Sequence, residues 1–212
     1  MDNYKTPGYI WFDAEFSSLE LEKSSLLQVA AIITDTDLKP KISETKELSL
    51  IIETDKNTVI SPWVKENLSD LLNRCNSIEA ISILKADEIL FNWVKEIFGD
   101  TNENIHMRPI LAGNSVHNDW FMARSYLPRF YSQLHYRLLD VSSFKIMWKD
   151  YLNYLPFNKE DIDLINKYYP GDKIDSVDSH DALFDIKASI AELIYYRNDM
   201  SVNKYLKSSN LR

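Results

Sequence analysis

Only one cysteine, Cys75, occurs among the 212 residues, and no uninterrupted apolar run is longer than a strand. A single cysteine excludes an intrachain disulfide, so the chain suits a reducing compartment. The lack of a long apolar run argues against a membrane-spanning helix, and the first residues lack the apolar stretch of a secretory signal. We therefore expect a soluble, cytoplasmic protein that does not associate with membranes.

Glycine is also scarce, with four residues, and the 26% of charged residues are spread along the chain. This composition excludes a disordered or fibrous protein. With 45% hydrophobic residues, the chain suffices for one α/β domain with a substantial core and leaves little room for a second. No internal repeat or linker divides it, so we predict a single domain over residues 1–212.

A surplus of basic residues is missing as well, because 24 lysines and arginines stand against 32 acidic residues and the net charge is −8. Proteins that track long duplexes usually neutralise many phosphates with cationic side chains. Two interpretations remain. Either the substrate is not a polyanion, or it is short and metal ions hold its phosphates at an acidic site.

Apolar periodicity predicts an α/β chain in which three strands come first. Residues 9–15, 25–34 and 47–53 have strand patterns, and their short connections favour an antiparallel meander. The elements predicted after it are a helix over 77–98, a strand over 109–113, a helix over 116–126, a strand over 136–141, a helix over 143–151, an irregular insertion over about 153–178 with a short helix over 160–168, a helix over 180–197 and a frayed polar tail over 201–212. This order predicts a mixed five-stranded sheet, three antiparallel strands and then parallel ones, flanked by helices.

Two acidic residues stand out on the first strand. Asp13 and Glu15 are two positions apart, so the period of a strand points both carboxylates to the same face of the sheet. Burying unpaired carboxylates costs roughly several kcal/mol, and a divalent cation would offset that cost. The alternative is an edge strand whose acids are solvated or paired with lysines.

Two later acids extend the pattern. Asp119 follows the predicted strand over 109–113, at the carboxyl end of a core strand where α/β sheets place their sites. Taken alone, Asp119 also fits the simpler role of complementing a helix dipole near an N-terminus. Asp185 lies on the last predicted helix five residues after His180, where it also fits a surface acid, and Asp181 is an equally available candidate.

Together these residues have the order that is typical of the DEDDh exonucleases, which the chain therefore resembles. Asp13-x-Glu15 on a first strand, then Asp119, then His180 followed five residues later by Asp185 match that family's pattern. Within the group, the closest resemblance is to oligoribonuclease, and it extends over most of residues 8–198. The strings that carry it are Gly113-Asn114-Ser115, Tyr126-Leu127-Pro128, His135-Tyr136-Arg137, Leu139-Asp140-Val141-Ser142, Ala191-Glu192-Leu193 and Tyr195-Tyr196-Arg197.

The resemblance implies a ribonuclease-H-like fold and a 3′-5′ exoribonuclease that hydrolyses short single-stranded RNA, dinucleotides included, to mononucleotides. It assigns Asp13, Glu15, Asp119 and Asp185 as ligands of two divalent cations and His180 as the general base. The chemistry agrees, since four carboxylates match the charge of two divalent ions and their oxygens suit Mg²⁺ or Mn²⁺. A histidine titrates near neutral pH, as a base for water activation requires.

The resemblance also assigns residues that contact the substrate. Leu19 matches a wedge between the last two bases, and Trp63 matches an aromatic side chain that stacks under a base. For both, simple packing is the alternative. Three further positions match a cap over the terminal 5′ phosphate that limits substrate length: Ser115, Arg137 and Ser142.

Two residues match positions that reach into the active site of a neighbouring protomer. These are His135 and Tyr136, so the resemblance implies a homodimer, although Tyr136 also fits ordinary packing. The chain departs from the family at three places: residues 64–70 lack the further histidine and Ser-Gly pair that usually follow Trp63, Ser17-Ser18 stands for Thr-Gly, and the insertion over 153–178 is longer than usual.

Two other functions remain open. A DEDDh exonuclease acting on DNA or on longer RNA 3′ ends would use the same metal chemistry, which does not require a 2′ hydroxyl. A catalytically inactive nucleic-acid-binding module would keep the fold, but the intact set of four acids and His180 argues against such decay.

Overall fold

A computed structural model describes residues 5–41, 47–151, 155–175 and 181–209 of the chain. Its centre is a five-stranded sheet with the order β3-β2-β1-β4-β5. The strands are β1 (Tyr9–Phe16), β2 (Leu26–Thr34), β3 (Glu47–Ile51), β4 (Ile110–Gly113) and β5 (Leu138–Asp140). β1, β2 and β3 pair antiparallel, whereas β4 and β5 run parallel to β1. The mixed sheet predicted from the sequence is thus confirmed.

Helices cover both faces of this sheet. They are α1 (Pro62–Asn67), α2 (Ser69–Cys75), α3 (Ile83–Phe98), α4 (His117–Tyr126), α5 (Pro128–Tyr131), α6 (Val141–Ile146), α7 (Ile162–Tyr168) and α8 (Ala182–Ser209). Over the described residues, we find no helix whose length and apolar character would allow it to cross a membrane.

The alternation of side chains along β1 divides the core into two layers. Phe12 packs with Phe130 of α5, their ring centres 5.4 Å apart, in a cluster that includes residues of α3 and α4. Trp11 points to the opposite face and packs in a second cluster with residues of α8. Because a strand has a period of two, Asp13 and Glu15 share the face of Trp11. The acids of β1 therefore face α8.

Several predicted boundaries were wrong for local reasons. The helix predicted over 77–98 begins at Ile83, because the Ser82 side chain caps it by accepting a hydrogen bond from the Lys85 N–H. The helix predicted over 143–151 is α6 followed by a single π-helical turn, Met147–Tyr151. The short helix predicted over 160–168 within the insertion is confirmed as α7, which begins after its cap, Asp161.

Two further differences concern helical residues that the periodicity did not predict. Helices α1 and α2 follow Ser61, which accepts a hydrogen bond from the Val64 N–H, and Pro62 stands at the first helical position. A serine followed by proline is a helix-start signal that the analysis of the sequence did not use. Helix α8 continues to Ser209, so the backbone over 201–209 is helical and not frayed as predicted.

A buried carboxylate joins α3 to α5 and can be tested directly. Asp87 is 2% exposed and accepts hydrogen bonds from the N–H groups of Arg129 and Phe130, at 3.1 and 2.9 Å. Asp87→Ala leaves these donors without an acceptor, so we expect the free energy of unfolding to fall by about 1–3 kcal/mol in urea titrations. The neighbouring Glu88→Ala is the control and should stay within about 0.5 kcal/mol of the wild type. Equal effects of the two substitutions would contradict the role of Asp87.

Candidate active site

Three carboxylates from two elements meet at one point. Asp13 and Glu15 project from β1, and Asp185 projects from the first turn of α8. Each offers one oxygen atom such that the three oxygens lie within 4.8 Å of one another. We call this group the carboxylate cluster. The shared face of Asp13 and Glu15 is thereby confirmed, and of the two acids considered on α8 it is Asp185 that joins them.

Asp119 lies at the edge of the carboxylate cluster. It is in the first turn of α4, is 5% exposed and accepts a hydrogen bond from the Ala14 N–H at 3.0 Å. Ala14 stands between the two acids of β1, so this bond fixes the start of α4 against the strand. The charge of Asp119 also raises the pKa of Asp13. Asp119 therefore contacts β1 and influences the acids there, in addition to lying near the N-terminus of a helix.

The electrostatics of the site disfavour four ionised carboxylates without a cation. The pKa of Asp13 is raised well above its usual range, first by enclosure in the protein and then by the charges of Asp119, Asp185 and Glu15. Enclosure, with repulsion by Asp185 and Asp181, raises the pKa of Glu15 to about 7. The pKa of Asp119 also rises to about 7 through enclosure, although its hydrogen bond from Ala14 acts in the opposite direction.

The donor atoms fit a hard divalent cation. Carboxylate oxygens are the ligands that Mg²⁺ and Mn²⁺ prefer, and a cation at the carboxylate cluster would relieve the repulsion among its members. The chain's one thiol does not contribute. Cys75 lies in a separate apolar cluster with Leu27 and Val64, and burial raises its pKa to about 11.

An apolar pocket of about 780 Å³ opens beside the carboxylate cluster. Glu15 belongs to both, and the pocket wall includes Leu19 and Trp63, which the sequence analysis placed at the bases. Leu19 is 86% exposed and Trp63 is 50% exposed. Large apolar side chains exposed together around a concave surface are typical of a binding site, which argues against simple packing for either residue.

Two of the three residues predicted to cap a 5′ phosphate, Ser115 and Ser142, lie next to each other. The hydroxyl oxygens of Ser115 and Ser142 lie 3.2 Å apart, and the Ser115 N–H donates to the Ser142 hydroxyl and to a carboxylate oxygen of Asp140. Ser115 has a φ of 51°, which turns the chain sharply after β4. Among the described residues, Arg137 makes no hydrogen bond to either serine. Its guanidinium lies 5.4 Å from the ring centre of Tyr136.

The rings of His135 and Tyr136 form a stacked pair. The His135 ring is buried, lies 4.5 Å from the Tyr136 ring, and accepts the Arg137 N–H at Nδ1. Burial, together with the charges of His106 and Arg137, lowers the pKa of His135. Tyr136 is 51% exposed, next to His106.

His180, the predicted general base, lies outside the described residues. The first residue described after it, Asp181, accepts a hydrogen bond from the Phe184 N–H at 2.9 Å. Asp181 therefore acts as the cap of α8, a structural role that leaves the carboxylate cluster to Asp185.

A buried polar network that was not predicted from the sequence lies behind the site. The Asn114 amide donates to the Ser189 hydroxyl and to Glu192 Oε2, and Tyr196 donates to Glu192 Oε1 at 2.8 Å. Glu192 is completely buried, and Lys159 Nζ lies 3.9 Å from its Oε2 atom. A signal was present, because positions 185, 189 and 192 recur at four and three on α8 and mark one polar stripe of that helix.

Comparisons with known proteins agree on a nuclease. A family model described as Exonuclease, RNase T, matches residues 10–193. A probable oligoribonuclease of Schizosaccharomyces pombe is 30% identical over 200 residues, which cover 93% of this chain and 70% of the yeast protein. The mitochondrial oligoribonuclease of Homo sapiens is 30% identical over 199 residues, with 92% and 74% of the two chains covered. An oligoribonuclease of Francisella tularensis is 26% identical and has 94% of its length covered.

Solved structures support the fold. An E. coli ExoI complex with single-stranded DNA superimposes with a TM-score of 0.65 at 13% identity, covering 96% of this chain and 43% of that one. The cell-death related nuclease 4 superimposes with a TM-score of 0.59, also at 13% identity, over 91% of this chain and 64% of that one. At these identities the likeness shows the fold, and it confirms the predicted ribonuclease-H-like architecture. The chain spans less than half the length of the ExoI chain.

The raised pKa values predict how stability depends on pH. Because Glu15 and Asp119 have a pKa of about 7 in the folded protein against usual values of 4.5 and 3.8, the folded state binds more protons than the unfolded state between those limits. The free energy of unfolding of the metal-free protein should therefore fall as the pH rises from about 5 to about 8. Thermal unfolding in a chelator measures this decline, and Glu15→Gln should make it shallower.

Added Mn²⁺ should act in the opposite direction. Metal binding requires ionised carboxylates, so the increase in melting temperature should be larger at about pH 8 than at about pH 5. A Mn²⁺ effect that is independent of pH, or that persists undiminished in Glu15→Gln, would contradict the assignment of the carboxylate cluster as a metal site.

Proposed function

The chain belongs to the RNase T family of exonucleases and, within it, to the oligoribonucleases, so it is a 3′-5′ exonuclease, and we propose that it hydrolyses short single-stranded RNA, dinucleotides included, to mononucleotides. One observation carries this proposal. Glu15 belongs both to the carboxylate cluster and to the wall of the apolar pocket with Leu19 and Trp63. A base held in that pocket would bring the phosphodiester next to it to the acids.

Two divalent cations, Mg²⁺ or Mn²⁺, would be held by Asp13, Glu15, Asp119 and Asp185. When bound, they would supply activation of water and stabilisation of the leaving 3′ oxygen. The protein's own contribution is rigidity. Asp119 is fixed to the Ala14 N–H, and the two acids of β1 are fixed by the sheet, so the ligands are held in place before the metal binds.

His180 would take the proton of the attacking water. Its position in the sequence supports this role, because it precedes by five residues the acid that α8 contributes to the carboxylate cluster, and because an imidazole has a pKa of about 6.5 before perturbation. Trp63 would stack under a base and Leu19 would wedge between the last two, which are roles that their exposure beside the cluster allows.

The Ser115 and Ser142 pair would hold the terminal 5′ phosphate of a short substrate. The Ser142 hydroxyl donates to the Asn114 side-chain oxygen, so the donor for the phosphate would be the Ser115 hydroxyl, 3.2 Å from that of Ser142. Arg137, which is exposed, would add a charge-assisted contact by moving from the Tyr136 ring. A single binding site for the 5′ phosphate suits a protein with a net charge of −8, because a short substrate does not require a long basic surface.

We propose further that the protein acts as a cytoplasmic homodimer. The exposed face of Tyr136, supported by the buried His135 ring, would extend into the active site of the second copy. Tyrosine suits such a contact because it combines a large apolar face with a hydroxyl group.

Cleavage of 5′-labelled RNA of two to twenty nucleotides with Mg²⁺ or Mn²⁺ tests the reaction. Asp185→Asn keeps the shape of the side chain and removes its charge, so we expect cleavage to fall by more than about a hundredfold. Asp163→Asn, an exposed change on α7, is the matched control and should behave as wild type. Wild-type preference for DNA or for long RNA would replace the short-RNA proposal, and metal-independent activity would contradict the role of the cluster.

Arg137→Ala tests the phosphate cap. We expect KM for a 5′-phosphorylated RNA dinucleotide to rise about tenfold or more, because a charge-assisted hydrogen bond is lost. The control is the same dinucleotide without its 5′ phosphate, for which wild type and variant should have similar KM values. A similar loss on both substrates would show that Arg137 does not act through the phosphate.

A further inference from the structure

Lys159 contacts α8 one turn after Asp185, where its ammonium lies 3.2 Å from the Ser189 hydroxyl. It lies in the insertion, between its first described residues and α7. The side chain is 26% exposed, so its ammonium is neither buried nor fully solvated. The insertion therefore brings a positive charge to an otherwise acidic cleft.

Hydrogen bonds connect this ammonium, through Ser189, to both parts of the proposed site. Lys159 Nζ lies 3.2 Å from the Ser189 hydroxyl, which in turn donates to the backbone oxygen of Asp185 at 2.7 Å. The same hydroxyl accepts the Asn114 amide at 2.8 Å, and the Asn114 side-chain oxygen accepts the Ser142 hydroxyl at 3.1 Å. One path leads from Lys159 to the carboxylate cluster and the other to the Ser115 and Ser142 pair.

The donors of the ammonium are not used up by these contacts. Glu192 Oε2 lies 3.9 Å from Nζ, which is an ion pair but too long for a hydrogen bond. The Glu192 carboxylate already accepts hydrogen bonds from Asn114 and Tyr196. An ammonium has three donors, and among the described residues one is directed to Ser189. Glu192 thus holds the charge in place while donors remain for a ligand.

We infer that Lys159 is a substrate-binding residue whose ammonium contacts a phosphate of a short oligonucleotide bound across the carboxylate cluster and the Ser115 and Ser142 pair. This inference rests on the proposed function, because it takes a short nucleic acid as the ligand. The phosphates of the substrate add negative charge to a site that already has four carboxylates. Two divalent cations balance the carboxylates and Arg137 would serve the terminal phosphate, so Lys159 would supply positive charge for the remaining negative charge of the substrate.

The test compares Lys159→Gln, Lys159→Arg and wild type on a 5′-phosphorylated RNA dinucleotide and on its DNA counterpart. Glutamine keeps a donor toward Ser189 and removes the charge, whereas arginine keeps the charge. Recovery of KM with arginine would therefore assign the loss to the charge and not to a folding defect. We expect Lys159→Gln to raise KM about tenfold or more with kcat changed less than about threefold, and Lys159→Arg to restore KM. Lys167→Gln, which removes an exposed charge from α7, is the matched control and should match wild type.

Salt dependence gives a second readout that a merely structural role would not move. Binding of the dinucleotide is measured with Ca²⁺ in place of Mg²⁺ at several salt concentrations. Loss of one phosphate contact should reduce the slope of log affinity against log salt by about 0.7 in Lys159→Gln. The inference is overturned if KM and slope stay at wild-type values, or if kcat and melting temperature fall in Lys159→Gln and arginine does not restore them.

The two proposals fail in different ways. If wild type cleaves neither dinucleotide, the proposed function and this inference fail together. If wild type prefers the DNA dinucleotide, the RNA proposal fails, while the Lys159 contact is decided on DNA, because both substrates carry the same phosphates.

Discussion

Repulsion between carboxylates on one strand is the constraint on which the rest of the structure depends. Asp13 and Glu15 stand on β1, which has β2 and β4 on its two sides, and enclosure together with neighbouring charges raises the pKa of both. A central strand carrying such a pair is stable when ionised only if cations reach the face that bears it. Asp185 on α8 adds a third carboxylate opposite the pair, which increases the repulsion and supplies a further oxygen ligand for a cation.

The same constraint explains why the site is rigid on one side and open on the other. Toward α4, Asp119 is tied to the Ala14 N–H and is almost completely buried. Toward solvent, the pocket that contains Leu19 and Trp63 remains open beside Glu15. Rigid acids next to an adaptable apolar surface suit a reaction in which the phosphate must be placed accurately, whereas the base can vary.

Charge is distributed locally, although the chain as a whole is acidic. The buried Glu192 accepts hydrogen bonds from Asn114 and Tyr196, and it lies close to Lys159 of the insertion. Asn114 continues this network to Ser142. The insertion over 153–178 is longer than is usual in the family. Through Lys159 it is connected to the candidate active site and is not a separate surface feature.

The sequence by itself determined the order of the strands and of the longer helices, and the shared face of Asp13 and Glu15, because these follow from periods of two and 3.6. It failed where local capping decides: Ser82 moved the start of α3, and Ser61 with Pro62 began a helix that apolar periodicity did not indicate. Only the tertiary structure distinguished Asp185 from Asp181, since both lie near the start of α8 and the helix capping of Phe184 is visible only in three dimensions. It alone also brought Lys159 to Glu192, because ion pairs between residues distant in the chain depend on how the insertion packs on α8 and leave no periodic trace in the sequence.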